Sequence, residues 1–224
     1  MADSGTTRRS RLEAARLYLV TGARRDRGDL DAFLDAVLGA GVDIVQLREK
    51  DAEAGDLLRW SAAFRAAADR HSALFVINDR PDVALAAGAD GVHLGQNDLP
   101  PAIARAIVGP SLLIGLSTHT QREFDAAAAE ADYLCAGPVY ATPTKPGRAA
   151  VGTELIAAAA RRESQGQERR PWFAIGGIDA ENLAGVHHAG ARRFAVVRAI
   201  GDAPDAAAAA SRLSRLAREQ FGAC

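Results

Sequence analysis

Cysteine is nearly absent: only Cys135 and Cys224 occur in 224 residues. Two thiols so far apart exclude a disulfide framework and a cysteine-rich zinc site. Charge excess is absent too. Twenty-seven basic residues face 28 acidic ones, a net of -1, so no bulk attraction to nucleic acid or to an anionic membrane follows. No apolar run approaches the ~18 residues of a membrane span. Arg8, Arg9 and Arg11 make the N-terminus locally basic, but no apolar signal-peptide core follows them. The first β-type run is not followed by Gly-x-Gly-x-x-Gly, the mark of a dinucleotide site. No histidine pair has metal-ligand spacing with a carboxylate, and no Ser/His/Asp or Cys/His set stands out. A cytoplasmic protein acting on small molecules is expected, with no nucleic-acid or membrane partner. A homo-oligomer stays open.

What is present is alternation. Apolar β-type runs at 17–21, 44–48, 74–78, 91–94, 112–116, 133–136, 172–175 and 194–197 are separated by alanine-rich helical segments. The helical candidates span 30–40, 54–70, a short segment opened by Pro81, 102–108, 121–131, 154–162, 180–188 and 206–221. Most strands lack apolar/polar alternation, as parallel strands covered by helices do. Eight such units predict an α/β fold, a single (β/α)8 TIM barrel over 15–224. Residues 1–14 are expected to be a flexible extension. Turns such as Gly41-Val42-Asp43 and Gly88-Ala89-Asp90 mark the repeated helix-to-strand joint.

A barrel of this kind gathers its chemistry at the C-terminal ends of the strands. The polar residues of this sequence fall there. Strand two runs into Gln46-Leu47-Arg48-Glu49-Lys50. Residues two apart share one face of a strand, so an amide and two cations project together while Leu47 and Glu49 turn away. Such a cluster is costly to bury without an anion. Asp79 and Asp98 leave adjacent strands at the same end. Two hard carboxylates with room for water and phosphate suit Mg2+, although both could equally cap the helices they precede. The loop Thr142-Pro143-Thr144-Lys145-Pro146-Gly147 offers two hydroxyls and an ammonium to a phosphate, or is a plain surface loop. Gly176-Gly177 lets a phosphate approach backbone N–H groups, or packs tightly at the strand end. His93 reads as a core histidine, His119 as a group at the mouth, and Cys135 as a buried hydrophobe.

Taken in order, these motifs resemble a known family. Gln-Leu-Arg-Glu-Lys (46–50), Asn-Asp-Arg (78–80), Gly-Val-His-Leu-Gly-Gln-Asn-Asp (91–98), Gly-Leu-Ser-Thr-His (115–119), Gly-Pro-Val-Tyr-Ala-Thr-Pro-Thr-Lys (137–145), Ala-Ile-Gly-Gly-Ile (174–178) and Val-Val-Arg-Ala-Ile (196–200) are similar to the motifs of thiamine-phosphate synthases. The resemblance implies a transferase. It joins 4-amino-2-methyl-5-(diphosphooxymethyl)pyrimidine to 4-methyl-5-(2-phosphooxyethyl)thiazole and releases diphosphate. It further implies that Gln46, Leu47, Arg48, Glu49, Lys50, Asn78, Ser117 and Lys145 hold the pyrimidine diphosphate. Of these, Arg48, Ser117 and Lys145 are the catalytic set. Asp79 and Asp98 would bind Mg2+, and Thr142, Pro143, Thr144, Gly177, Val197 and Arg198 would hold the thiazole phosphate. Many relatives carry serine where Arg198 stands, and Asn97 is often acidic. The thiazole tautomerase relatives, which use a histidine, and a non-catalytic thiamine-phosphate sensor are the competing readings. Retention of Asp79, Asp98 and the Thr-Pro-Thr-Lys loop argues against the first, and retention of those carboxylates with the diphosphate-binding cations argues against the second.

Overall fold

A computed structural model describes residues 5–127, 129–142 and 150–221. Its centre is a closed barrel of parallel strands in sequence order. These are β1 (Leu17–Thr21), β2 (Ile44–Leu47), β3 (Leu74–Asn78), β4 (Gly91–Leu94), β5 (Leu113–Thr118), β6 (Tyr133–Ala136), β7 (Trp172–Ile175) and β8 (Phe194–Val196). Pairing of Leu17 with Phe194 closes β8 onto β1 and leaves no strand edge open. The expected (β/α)8 barrel is the fold observed.

The period of two within each strand divides the core into two compartments. Leu17, Leu19, Val45, Leu47, Phe75 and Ile77 face outward into the helical layer. Tyr18, Val20, Ile44, Leu74, Val76, Leu113, Tyr133, Cys135, Phe173 and Ala195 fill the barrel interior. Around the outside run α2 (Leu30–Gly39), α3 (Ala54–His71), α4 (Pro81–Ala86), α5 (Pro101–Val108), α6 (Gln121–Asp125), α7 (Glu154–Ser164), α8 (Leu183–His188), α9 (Arg198–Gly201) and α10 (Ala206–Phe221). Among the described residues no helix is long and apolar enough to cross a membrane.

Aspartates at the bottom of the barrel explain the repeated joint. Asp43 accepts the Leu17 and Arg16 N–H groups, each at 2.8 Å. Asp90 accepts that of Phe75 and Asp132 that of Ile114, again at 2.8 Å. Each carboxylate precedes one strand and satisfies a backbone donor at the start of the strand before it.

The same carboxylates overturn the expected flexible extension over most of its length. Residues Gly5–Ala14 form helix α1. Arg8 Nε donates to Asp90 at 3.0 Å, and Arg9 Nε donates to Asp132 at 2.9 Å. Leu12 and Ala15 pack into the lower end of the barrel interior. Buried carboxylates need cations, and α1 supplies two of them.

Candidate active site

Two cavities open at the C-terminal mouth. The larger, of 390 Å3, is lined by Gln46, Arg48, Lys50, Asn78, Asp79, Gln96, Asn97, Asp98 and Ser117, with Tyr18, His93 and Cys135 at the barrel interior. The smaller, of 260 Å3, is lined by Gly176, Gly177, Asp179, Thr142, Val197 and Arg198. His119, Ile175 and Val197 line both, so the two meet.

Each side chain arrives for a local reason. Gln46 lies in β2 with its side chain in the barrel interior, and its Nε2 donates to the Tyr18 hydroxyl at 2.7 Å. Arg48 and Lys50 continue the same alternation past the strand end. Leu47 and Glu49, counted with the pyrimidine-diphosphate contacts above, do not reach the cavity. Leu47 is buried under the helices. Glu49 turns outward, and its Oε1 accepts the Ala23 N–H at 2.8 Å beside the basic loop Arg24–Arg27. One side of the strand faces the cavity and the other holds the fold.

Asp79 sits in the left-handed region, φ 63°, which aspartate tolerates better than most residues. Neither Asp79 nor Asp98 caps a helix. The residues at the helix starts are Arg80 for α4 and Pro100 for α5, and Asp98 Oδ2 instead accepts the Gly95 N–H at 2.6 Å. Burial first, then the hydrogen bond and charge of Asp98, raise the Asp79 pKa to about 6 against the opposing charges of Lys50 and Arg48. Two carboxylates are thus forced together beside two cations. That donor set fits a hard divalent ion such as Mg2+, which takes one or two carboxylates and completes its shell with water and phosphate. Among the described residues no third carboxylate, His or Cys joins them. Arg80, next in the motif, points elsewhere and forks onto Asp82 at 2.6 and 2.9 Å.

Ser117 is the buried penultimate residue of β5. Its Oγ lies 2.9 Å from His93 Nε2, and its carbonyl accepts the Gln96 amide at 2.6 Å. His119 is anchored by Nδ1 to the Gly137 carbonyl at 2.6 Å and stands where the cavities join. The glycine pair after β7 packs tightly at the strand end and also lines the smaller cavity. Gly176 and Gly177 have φ of 106° and 65°. A Cβ at Gly176 would lie 2.4 Å from Pro138 Cα, so the backbone packs tightly while it lines the smaller cavity. Val197 precedes α9, and Arg198 opens it with an exposed side chain. Pro143, Thr144 and Lys145 lie outside the described residues.

The structure adds residues the sequence did not mark. Tyr18 lines the larger cavity and Tyr133 stands behind it, 3.0 Å away hydroxyl to hydroxyl across the barrel, and no local signal announces either. Cys135 is buried as expected, but it also lines the larger cavity.

The fold and these cavities define a (β/α)8 barrel with two joined cavities at its mouth, one lined by paired carboxylates and two cations. The family model described as thiamine monophosphate synthase matches residues 17–200, and the chain belongs to that family. It is similar to the thiamine-phosphate synthase of Acidothermus cellulolyticus, 56% identical over 202 residues, covering 89% of this chain and 93% of that one. The thiamine-phosphate synthase of Mycobacterium leprae is 55% identical over 218 residues, 91% of each chain. Among solved structures, thiamine phosphate pyrophosphorylase from Pyrococcus furiosus superposes with a TM-score of 0.82 at 32% identity, covering 96% of this chain and 99% of that one. The family resemblance drawn from the motifs is thereby borne out.

Proposed function

We propose that this chain joins 4-amino-2-methyl-5-(diphosphooxymethyl)pyrimidine to 4-methyl-5-(2-phosphooxyethyl)thiazole, giving thiamine phosphate and diphosphate in the cytoplasm. One observation carries the reading: two cavities meet at His119, Ile175 and Val197, one rich in cations and paired carboxylates, the other lined by a glycine turn. Two anionic substrates placed in them would bring their reactive ends to the junction.

In this reading Arg48, Lys50 and Lys145 hold the diphosphate of the pyrimidine, with Asn78 and Ser117 as hydrogen-bonding partners. Asp79 and Asp98 would hold Mg2+. When bound, Mg2+ supplies further positive charge against the leaving diphosphate. The methylene C–O bond breaks with its electron pair leaving on the diphosphate. The electron-rich aminopyrimidine spreads the positive charge that remains on carbon. The thiazole nitrogen then gives its lone pair to form the C–N bond. Thr142, Thr144, Gly177, Val197 and Arg198 hold the thiazole phosphate so that this nitrogen faces the methylene carbon. No covalent protein nucleophile is needed. The protein's part is to position two substrates, stabilise the departing charge and keep water from the cation.

The test is direct. Purified protein with both substrates and Mg2+ should form thiamine phosphate, read by chromatography, with one diphosphate released per product. Absence of product where another thiamine-phosphate synthase turns over would sink this reading in favour of a tautomerase or a sensor.

A further inference from the structure

Beneath the larger cavity a chain of hydrogen bonds crosses the barrel. Gln46 Nε2 donates to Tyr18 Oη at 2.7 Å. Tyr18 Oη and Tyr133 Oη are 3.0 Å apart. Tyr133 Oη lies 3.2 Å from His93 Nδ1, and His93 Nε2 lies 2.9 Å from Ser117 Oγ. The five side chains come from β2, β1, β6, β4 and β5. Both ends line the cavity, and the middle is buried.

The chain has a direction. Burial raises both phenol pKa values well above the ordinary range, so both hydroxyls keep their protons. Tyr18 accepts from Gln46, so its own proton goes to Tyr133. Tyr133 in turn donates to His93 Nδ1. A neutral imidazole that accepts at Nδ1 carries its proton at Nε2 and donates it to Ser117. The Ser117 hydroxyl proton is left to point onward into the cavity. At the other end the Gln46 carboxamide is committed through Nε2, and its Oε1 makes no hydrogen bond to the described protein groups.

A separate observation shows that room is reserved for this arrangement. A Cβ at Gly115 would lie 2.1 Å from Tyr133 Cζ, 2.4 Å from its hydroxyl and 2.5 Å from His93 Nδ1. Glycine in a strand interior weakens the strand, and here it is the residue that admits the phenol and the imidazole together.

We propose that Tyr18, Tyr133 and His93 are positioning residues that set the polarity of the heterocycle subsite: an acceptor at Gln46 Oε1 and a donor at the Ser117 hydroxyl. This rests on the reading of the larger cavity as the pyrimidine site. The ring that fits presents an N–H to Gln46 and a lone pair to Ser117. An aminopyrimidine has both. A pyrimidine with a 4-oxo group in place of the amine offers an acceptor where the site needs a donor. A buried polar mismatch of this kind is strongly rejected. Without the chain the carboxamide of Gln46 is free to turn over, and the site accepts either ring.

The experiment uses the full chain with both substrates, Mg2+ and the 4-oxo analogue of the pyrimidine diphosphate as a competitive inhibitor. In wild type the Ki of the analogue should exceed the KM of the substrate by about tenfold or more, the worth of one mismatched hydrogen bond. Tyr133→Phe and Tyr18→Phe keep the ring packing and break the chain. In each, the KM for the pyrimidine diphosphate should rise several-fold, the KM for the thiazole phosphate should stay within about twofold, and the preference over the analogue should fall to about threefold or less. Unchanged discrimination in both variants of an active enzyme overturns the proposal. So does a common rise in both KM values with a fall in Tm, which marks a purely structural role. A wild type that makes no thiamine phosphate removes the functional reading itself, an outcome visible before any variant is made.

Discussion

Replacing Asp79 by Asn should stabilise the folded protein near neutral pH while removing turnover. In the fold, burial and the neighbouring Asp98 raise the Asp79 pKa from 3.8 to about 6. A carboxyl raised in this way holds its proton more tightly folded than unfolded. Its contribution to stability is full below about pH 3.8 and is lost as pH climbs through about 6. A shift of this size is worth at most about 3 kcal/mol. Asp79 is only partly buried, and solvent screening reduces that to roughly 1–1.5 kcal/mol. Asn keeps the shape and tolerates the left-handed backbone at this position, so the charge is what changes. Alanine would confuse the result with backbone strain of about 1 kcal/mol.

The assay is thermal unfolding in a chelating buffer from pH 4 to 8. Asp79→Asn should melt roughly 2–5 °C above wild type at pH 7.5, using the scale for a chain of this size. The gap should shrink steadily as pH falls from about 6 toward 3.8, because the other groups titrate in both proteins. Adding Mg2+ should raise the Tm of wild type and leave that of the variant nearly unmoved, since binding to the folded state alone stabilises it. Equal melting at pH 7.5, or a gap undiminished at pH 4.5, would refute the argument that Asp79 is held charged against its preference.

Two further outcomes follow from the two ends of the barrel. Arg198→Ala should raise the KM for the thiazole phosphate about tenfold with little change in the KM for the pyrimidine diphosphate, because a charge-assisted contact to phosphate is worth about 1.5–3 kcal/mol; an unchanged value leaves only the backbone as the phosphate contact. Arg8→Met should cost about 2–4 kcal/mol in urea unfolding while kcat/KM stays within about twofold, because it strips one cation from buried Asp90, which keeps Arg65 at 2.8 Å; a loss below about 0.5 kcal/mol would show that α1 contributes little to the fold.

The strands were legible in the sequence because each is a short apolar run bounded by turn residues, and the barrel followed from their number and strict alternation with helices. Misreadings arose where tertiary partners decide. The alanine run after Phe124 reads as helix to residue 131, yet α6 stops at Asp125. Asp132 must reach Ile114, where its N–H donates to the Ile114 carbonyl at 2.7 Å and its Oδ2 accepts the Ile114 N–H, and this tie overrides local propensity. Helix α1 was missed because its partners, Asp90 and Asp132, are distant in sequence. At the site, the alternation of Gln46, Arg48 and Lys50 could be read directly, since it is a property of one strand. The Tyr18–Tyr133 pair could not, because it joins β1 to β6 across the barrel interior. Asp79 and Asp98 were ambiguous for the same reason. A carboxylate before a helix caps it or serves a neighbour, and only the observed helix starts decide.

These differences follow one physical division. Groups set by a single strand's alternation can be read from sequence, and here they are the groups proposed to meet the anions. Groups set by closure of the barrel cannot, and here they are the ones that orient the first set. Gln46 belongs to both: β2 aims it inward, and Tyr18 on β1 fixes which end of its amide faces the cavity. Affinity for charge and choice of heterocycle are therefore separable in this fold. Loss of Arg48 or Lys50 should weaken every diphosphate alike, whereas loss of the Tyr18 hydroxyl should weaken mainly the distinction between one ring and another.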